Sequence, residues 1–88
     1  MSYSIEFYRD ALKYLQKLDK QTRIRISKSL NALQENPFHS ELDIKRMTGT
    51  KDEYRLRVGS YRVIYSVQDD ILMIYVIKIG PRRDVYNN

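Results

Sequence analysis

EYRLRVGSYRVIYSV, residues 53–67, decides how this chain is read. It alternates well enough to be two strands joined at Gly59-Ser60. Glycine at the first position of a two-residue loop suits a type II′ turn. Such a turn pairs Val58 with Tyr61, Arg57 with Arg62, Leu56 with Val63, Arg55 with Ile64 and Tyr54 with Tyr65. Directly paired residues project from the same face of a sheet. One face then carries Tyr54, Leu56, Val58, Tyr61, Val63 and Tyr65 and must be buried. The other gathers Arg55, Arg57 and Arg62.

Arg57 opposite Arg62 sets like charges side by side, which weakens a strand pair. An anion between them relieves the repulsion, and a guanidinium matches phosphate with two parallel hydrogen bonds. The plainer alternatives are that both side chains splay into water, or that a loop carboxylate neutralises them.

Downstream, ILMIYVIKI (71–79) reads as a further strand after a turn at Asp69-Asp70. This register pairs Val67 with Leu72 and Tyr65 with Ile74. Leu72, Ile74 and Val76 join the apolar face, while Met73, Tyr75 and Ile77 border the arginines. DIKRMTG (43–49) is a candidate short strand, and ENPFHSELD (35–43) is a loop.

Upstream, SYSIEFY (2–8) alternates as a strand, and RDALKYLQKL (9–18) changes to a helical period with Ala11, Leu12, Leu15 and Leu18 on one side. Asp10 is placed to cap it. QTRIRISKSLNALQE (21–35) is a second helix, N-capped by Asp19, with Ile26, Leu30 and Leu33 inward and Arg23, Arg25 and Lys28 outward. Pro37 lies just past its end. The fold class expected is α+β in one domain, residues 1–88: an N-terminal strand, an antiparallel two-helix hairpin, then an antiparallel sheet covered by the helices on one face.

Composition narrows the chemistry. Among 88 residues there are 16 Lys/Arg and 11 Asp/Glu, net +5, and residues 45–88 hold most of the excess. That balance points to a polyanionic partner such as nucleic acid, or simply to a basic soluble protein. Cysteine is absent, so no disulfide framework, thiol nucleophile or cysteine metal site exists, which fits a reducing cytoplasm. The N-terminus does not read as a secretory signal, and the longest apolar run, residues 71–77, is too short to span a bilayer. His39 is the one histidine, and no cluster has metal-ligand spacing. Gly49, Gly59 and Gly80 are isolated turn glycines rather than a phosphate loop. Neither metal nor cofactor is expected.

Arginine, lysine and tyrosine remain. Arginine carries protons poorly because its pKa lies above about 12, yet it stabilises charge growing on phosphate oxygens. RNA supplies its own nucleophile, the 2′-hydroxyl, beside the scissile phosphate. A protein that holds RNA in line and stabilises the pentacoordinate state can cleave it with little proton chemistry of its own. The tail PRRDVYNN (81–88) adds Arg82, Arg83 and Tyr86 near the rim of the arginine face, where Tyr86 can stack on a base.

The motifs F..DALK.L.KL (7–18), NP (36–37), KRMTG (45–49), YRLRVGSYRVIY (54–65) and IGPRRDVY (79–86) together span nearly the whole chain. In them the chain resembles the RelE/ParE superfamily of bacterial and archaeal type II toxins. The resemblance implies the RelE-like fold and, for the RelE-like branch, an endoribonuclease that cuts mRNA in the ribosomal A site by 2′-hydroxyl attack, leaving a 2′,3′-cyclic phosphate. By motif position Arg57, Arg62, Arg82 and Tyr86 match catalytic positions, and Arg55 and Arg83 are assigned to RNA phosphate. Arg57 stands where a lysine is common, which favours charge stabilisation over a general-base role. Pro81 stands where relatives often carry histidine or a basic residue. Two other functions stay open: a ParE-type poison that binds DNA gyrase without catalysis, and an antitoxin-bound relative of low activity. All three imply a cognate antitoxin in a hetero-oligomer. The first adds the ribosome and mRNA, and none involves a membrane.

Overall fold

The computed structural model describes residues 2–81. Strand β1 (Ser4–Phe7) leads into helix α1 (Arg9–Lys17) and helix α2 (Lys20–Glu35). Strands β2 (Asp43–Arg46), β3 (Glu53–Val58), β4 (Tyr61–Gln68) and β5 (Met73–Pro81) follow. The five strands form one sheet in the order β1-β5-β4-β3-β2. β2 to β5 are an antiparallel meander, and β1 lies parallel to β5 with Ile5 beside Ile74 and Phe7 beside Val76. The α+β architecture expected from the sequence is the one observed.

The helix hairpin follows from its caps. α2 starts at Asp19, whose carboxylate accepts the Thr22 backbone N–H at 3.2 Å and the Thr22 hydroxyl at 2.6 Å. These bonds, the hydroxyl's first, hold the Asp19 carboxyl below its usual pKa. Asp10 does not cap α1. The N-cap is Tyr8, with no side-chain cap bond, and Asp10 lies in the first turn. There a carboxylate still favours the positive end of the helix dipole.

Ala11 and Leu15 of α1, and Ile26, Leu30 and Leu33 of α2, meet Leu56, Val63, Tyr65, Val67, Ile74, Val76 and Ile79 of the sheet in one apolar cluster. Leu12 is turned more outward than the helical period suggests, 39% exposed. Tyr14 of α1 meets Tyr61 edge-on, with ring centroids 6.4 Å apart. Phe38, Tyr54 and Tyr65 form a second aromatic run along the apolar face. It closes on a hydrogen bond, 2.8 Å, from the Tyr65 hydroxyl to the Pro37 carbonyl. Burial holds the Tyr65 phenol far above its ordinary pKa, so it remains a donor.

Candidate functional site

The β3–β4 hairpin has the register expected from its turn: Val58 opposite Tyr61, Arg57 opposite Arg62, Leu56 opposite Val63, Arg55 opposite Ile64, Tyr54 opposite Tyr65. Gly59 has φ +58°, whereas Ser60 stays out of the positive region, as a type II′ turn requires. The Arg25 guanidinium of α2 lies over this turn, 3.0 Å from where a Cβ on Gly59 would sit. The three hairpin arginines therefore share one face of the sheet, away from the helices.

They do not share one environment. Arg57 is exposed and faces Asp43 of β2 in a loose ion pair, 3.9 Å. Arg55 is half-buried and has Lys45 as its partner on β2. Arg62 is 1% exposed, and its Nη1 donates to the Tyr61 carbonyl at 3.2 Å. On this face of the middle strand Arg62, Ile64 and Ser66 are all buried. Neighbouring strands flank them on both sides. The three arginines meet on one face as expected, but as a fixed charge below the surface with two reachable ones beside it. A cation held in a low-dielectric setting acts more strongly on a nearby anion than one in water.

The β4–β5 pairing differs from the expected register. The connection is a four-residue turn over residues 69–72 rather than two residues, closed by Leu72 N–H to the Asp69 carbonyl at 3.4 Å. Leu72 sits at φ +52° in the turn and not in the strand. Val67 therefore pairs with Ile74 instead of Leu72, and Tyr65 with Val76 instead of Ile74. A slip of two leaves the faces unchanged, so Ile74 and Val76 are buried in the core as expected. A β-bulge then intervenes. Beyond it Ile64 pairs with Lys78, Val63 with Ile79 and Arg62 with Gly80, so Ile77 is the extra residue in the ladder.

Sequence reasoning missed three residues of this face: Asp43, Lys45 and Lys78. Lys78 was legible in principle. Continuing the alternation of Ile74 and Val76 puts its ammonium in the core, and a bulge is the inexpensive escape. Arg82, Arg83 and Tyr86 lie outside the described residues. His39 serves its own loop, its Nδ1 accepting the Glu41 N–H at 3.1 Å. Among the described residues no group of His, Cys, Asp and Glu is placed to hold a metal ion, and no helix is long and apolar enough to cross a membrane.

Comparison with known proteins agrees with this geometry. Residues 5–86 match the model of the ParE toxin of the type II toxin-antitoxin system parDE. A RelE-like toxin protein of Escherichia coli is 38% identical over 99% of this chain and 93% of its own length. The mRNA interferase toxin RelE of E. coli K12 is 31% identical over the same shares. Among solved structures, the archaeal RelE-RelB complex from Pyrococcus horikoshii superposes with TM-score 0.82 at 34% identity, covering 93% of this chain and 97% of that one. The isolated E. coli RelE toxin gives 0.80 at 29%, covering 98% and 93%. Through a family match over nearly its whole length and relatives alike from end to end, this chain belongs to the RelE/ParE family of type II toxins.

Proposed function

We propose that residues 1–88 act as one toxin domain, a ribosome-dependent endoribonuclease that cleaves mRNA in the A site and so stops translation in the cytoplasm. The observation that carries this reading is the direct cross-strand pairing of Arg57 with Arg62, with Arg55 one row away on the same face. Asp43 offsets part of this repulsion through a loose, exposed ion pair with Arg57, and an anionic ligand between the two guanidiniums accounts for the rest. The relatives named mRNA interferase share this chain's full length, which favours RNA over gyrase as the target.

In the proposed reaction the RNA 2′-oxygen attacks the adjacent phosphorus as the bond to the 5′-oxygen breaks. The products are a 2′,3′-cyclic phosphate and a 5′-hydroxyl. The 2′-hydroxyl proton is lost and the leaving 5′-oxygen gains one. Arg62, Arg57 and Arg82 stabilise charge on the non-bridging oxygens, and Tyr86 stacks on a base or orients the nucleophile. Arg55 and Arg83 hold flanking phosphate. Arginine does not exchange protons near neutrality, so the acceleration expected of this set comes from position and charge. The solved relatives include toxin-antitoxin complexes, which supports a cognate antitoxin as the partner that silences this face.

Primer extension on a defined mRNA, with and without translating ribosomes, tests the reading. Cuts that appear only with ribosomes, inside codons, are expected. Intact mRNA in both lanes, from protein that still poisons cells, overturns it and directs attention to gyrase supercoiling.

A further inference from the structure

We propose that Lys78 is an RNA-phosphate-binding residue of this site, placed there by the bulge at Ile77. This deepens the reading above and rests on it.

The argument begins with the alternation of β5. Ile74 and Val76 are fully buried against the helices. With regular pleating Lys78 points the same way, and an unpaired ammonium among those side chains is costly. The extra residue Ile77 reverses the alternation. Ile79 takes the next core position, 4% exposed, and Lys78 moves to the arginine face, half-buried, opposite Ile64. Bulges recur beside active sites because they re-aim a side chain in this way.

The pairings then define a row that crosses the sheet. Lys45 of β2, Arg55 of β3, Ile64 of β4 and Lys78 of β5 are successive direct partners. The adjacent row is Asp43, Arg57, Arg62 and Gly80. Gly80 has no side chain to set beside Arg62, so Lys78, its diagonal neighbour across the strand pair, is the cation that β5 brings nearest. Diagonal neighbours of this kind lie about 7–8 Å apart, within reach of long side chains. Among the described residues no carboxylate lies within ion-pair distance of Lys78. Carboxylates on this face gather elsewhere: Asp43 against Arg57, and Glu53 and Glu6 in the row of Ser66 and Tyr75. Lys78 therefore flanks the buried Arg62 on the side opposite Arg57. Arg55 and Lys78 stand two strand spacings apart, roughly 10 Å, on either side of Ile64. A single-stranded backbone that crosses β4 along this row meets a cation on each side of Ile64, with the buried Arg62 in the adjacent row.

The test uses the full chain, wild type, Lys78→Met and Lys78→Arg, on ribosomes programmed with mRNA and, in parallel, with a 2′-O-methyl mRNA that cannot be cut. Binding and single-turnover cleavage are followed between 50 and 200 mM salt. Melting temperatures confirm that each variant folds. One lost phosphate contact lowers the log–log salt slope by about 1. The expected result is that Lys78→Met raises the half-saturating concentration about tenfold, with the slope reduced accordingly. Lys78→Arg stays within about twofold of wild type, because a cation and not a proton carrier is required. If Lys78→Met binds as wild type does with the same slope, or if Lys78→Arg fails as Lys78→Met does, the proposal is overturned. Lys78-dependent binding without any cutting keeps the phosphate site and removes the cleavage reading. A wild type that binds neither complex removes both.

Discussion

The two hairpins of the meander share strand β4 but solve the same problem differently. β3–β4 turns in two residues through Gly59 and keeps an unbroken register to its end. β4–β5 turns in four, holds Leu72 at φ +52°, and carries a bulge halfway along. The first hairpin is specified locally by one glycine and strict alternation. The second is specified by what its side chains must touch: Ile74, Val76 and Ile79 under the helices, and Lys78 away from them. A turn determines register where its chemistry is unambiguous. Elsewhere burial determines it, and the backbone deforms to comply.

The largest expected effect falls on the first hairpin. Arg62→Ala should lower cleavage on ribosomes by about 10²–10³-fold, the usual scale for removing a fixed transition-state donor. Arg82→Ala should do the same, and Lys13→Ala on α1 should cut as wild type does. Arg62 is buried, so a thermal melt must accompany the rate. A folded Arg62→Ala protein with wild-type cleavage would remove Arg62 from the site.

Gly59→Ala comes next. A side chain at positive φ costs about 1–3 kcal/mol, and here its Cβ also meets the Arg25 guanidinium at 3.0 Å. The melting temperature should fall by roughly 5–15 °C for a chain of this size. If the variant melts with wild type, the tight turn is not what holds this hairpin. Leu72→Gly probes the second turn in the same way and should leave stability nearly unchanged. Relief of the left-handed leucine offsets the lost half-buried side chain and the added chain entropy, leaving stability within about 0.5 kcal/mol of wild type. A large loss there would show that Leu72 contributes packing that its exposure does not suggest.

This contrast also explains what the sequence made legible. The helix pair, the Asp19 cap, the two faces of β3–β4 and the cluster of Arg55, Arg57 and Arg62 follow from period, capping and one glycine. The length of the second turn did not, because Asp69-Asp70 is a plausible two-residue loop and nothing local marks Leu72 as left-handed. The unequal burial of the arginines was also hidden. Alternation assigns a face, but only strand order tells that β4 is central, with a strand on each side of Arg62. Asp43 and Lys45 could not be placed beside Arg57 and Arg55 before the register of β2 was known. The bulge had a signal, a lysine falling on a core position, but reading it required trusting burial over alternation.

The smallest effect concerns how the looser turn is anchored. Tyr3, just ahead of β1, donates its hydroxyl to the Asp69 carboxylate at 2.6 Å, tying the N-terminal segment to the β4–β5 turn. That hydrogen bond, then partial desolvation and the Asp69 charge, raise the Tyr3 phenol above its usual value of 10.0. A raised phenol pKa means that the folded state favours the protonated form. The contribution is therefore complete below pH about 10 and disappears as pH climbs through the folded value. Tyr3→Phe should be slightly less stable than wild type in urea at pH 7 and pH 9 by the same margin, and the margin should shrink at pH 11. The β3–β4 hairpin, held by its own turn, should show no such alkaline dependence in Gly59→Ala. A Tyr3→Phe protein as stable as wild type at pH 7 and pH 9 would mean that the ring and not the hydroxyl anchors the second turn. The two hairpins would then differ in backbone geometry alone.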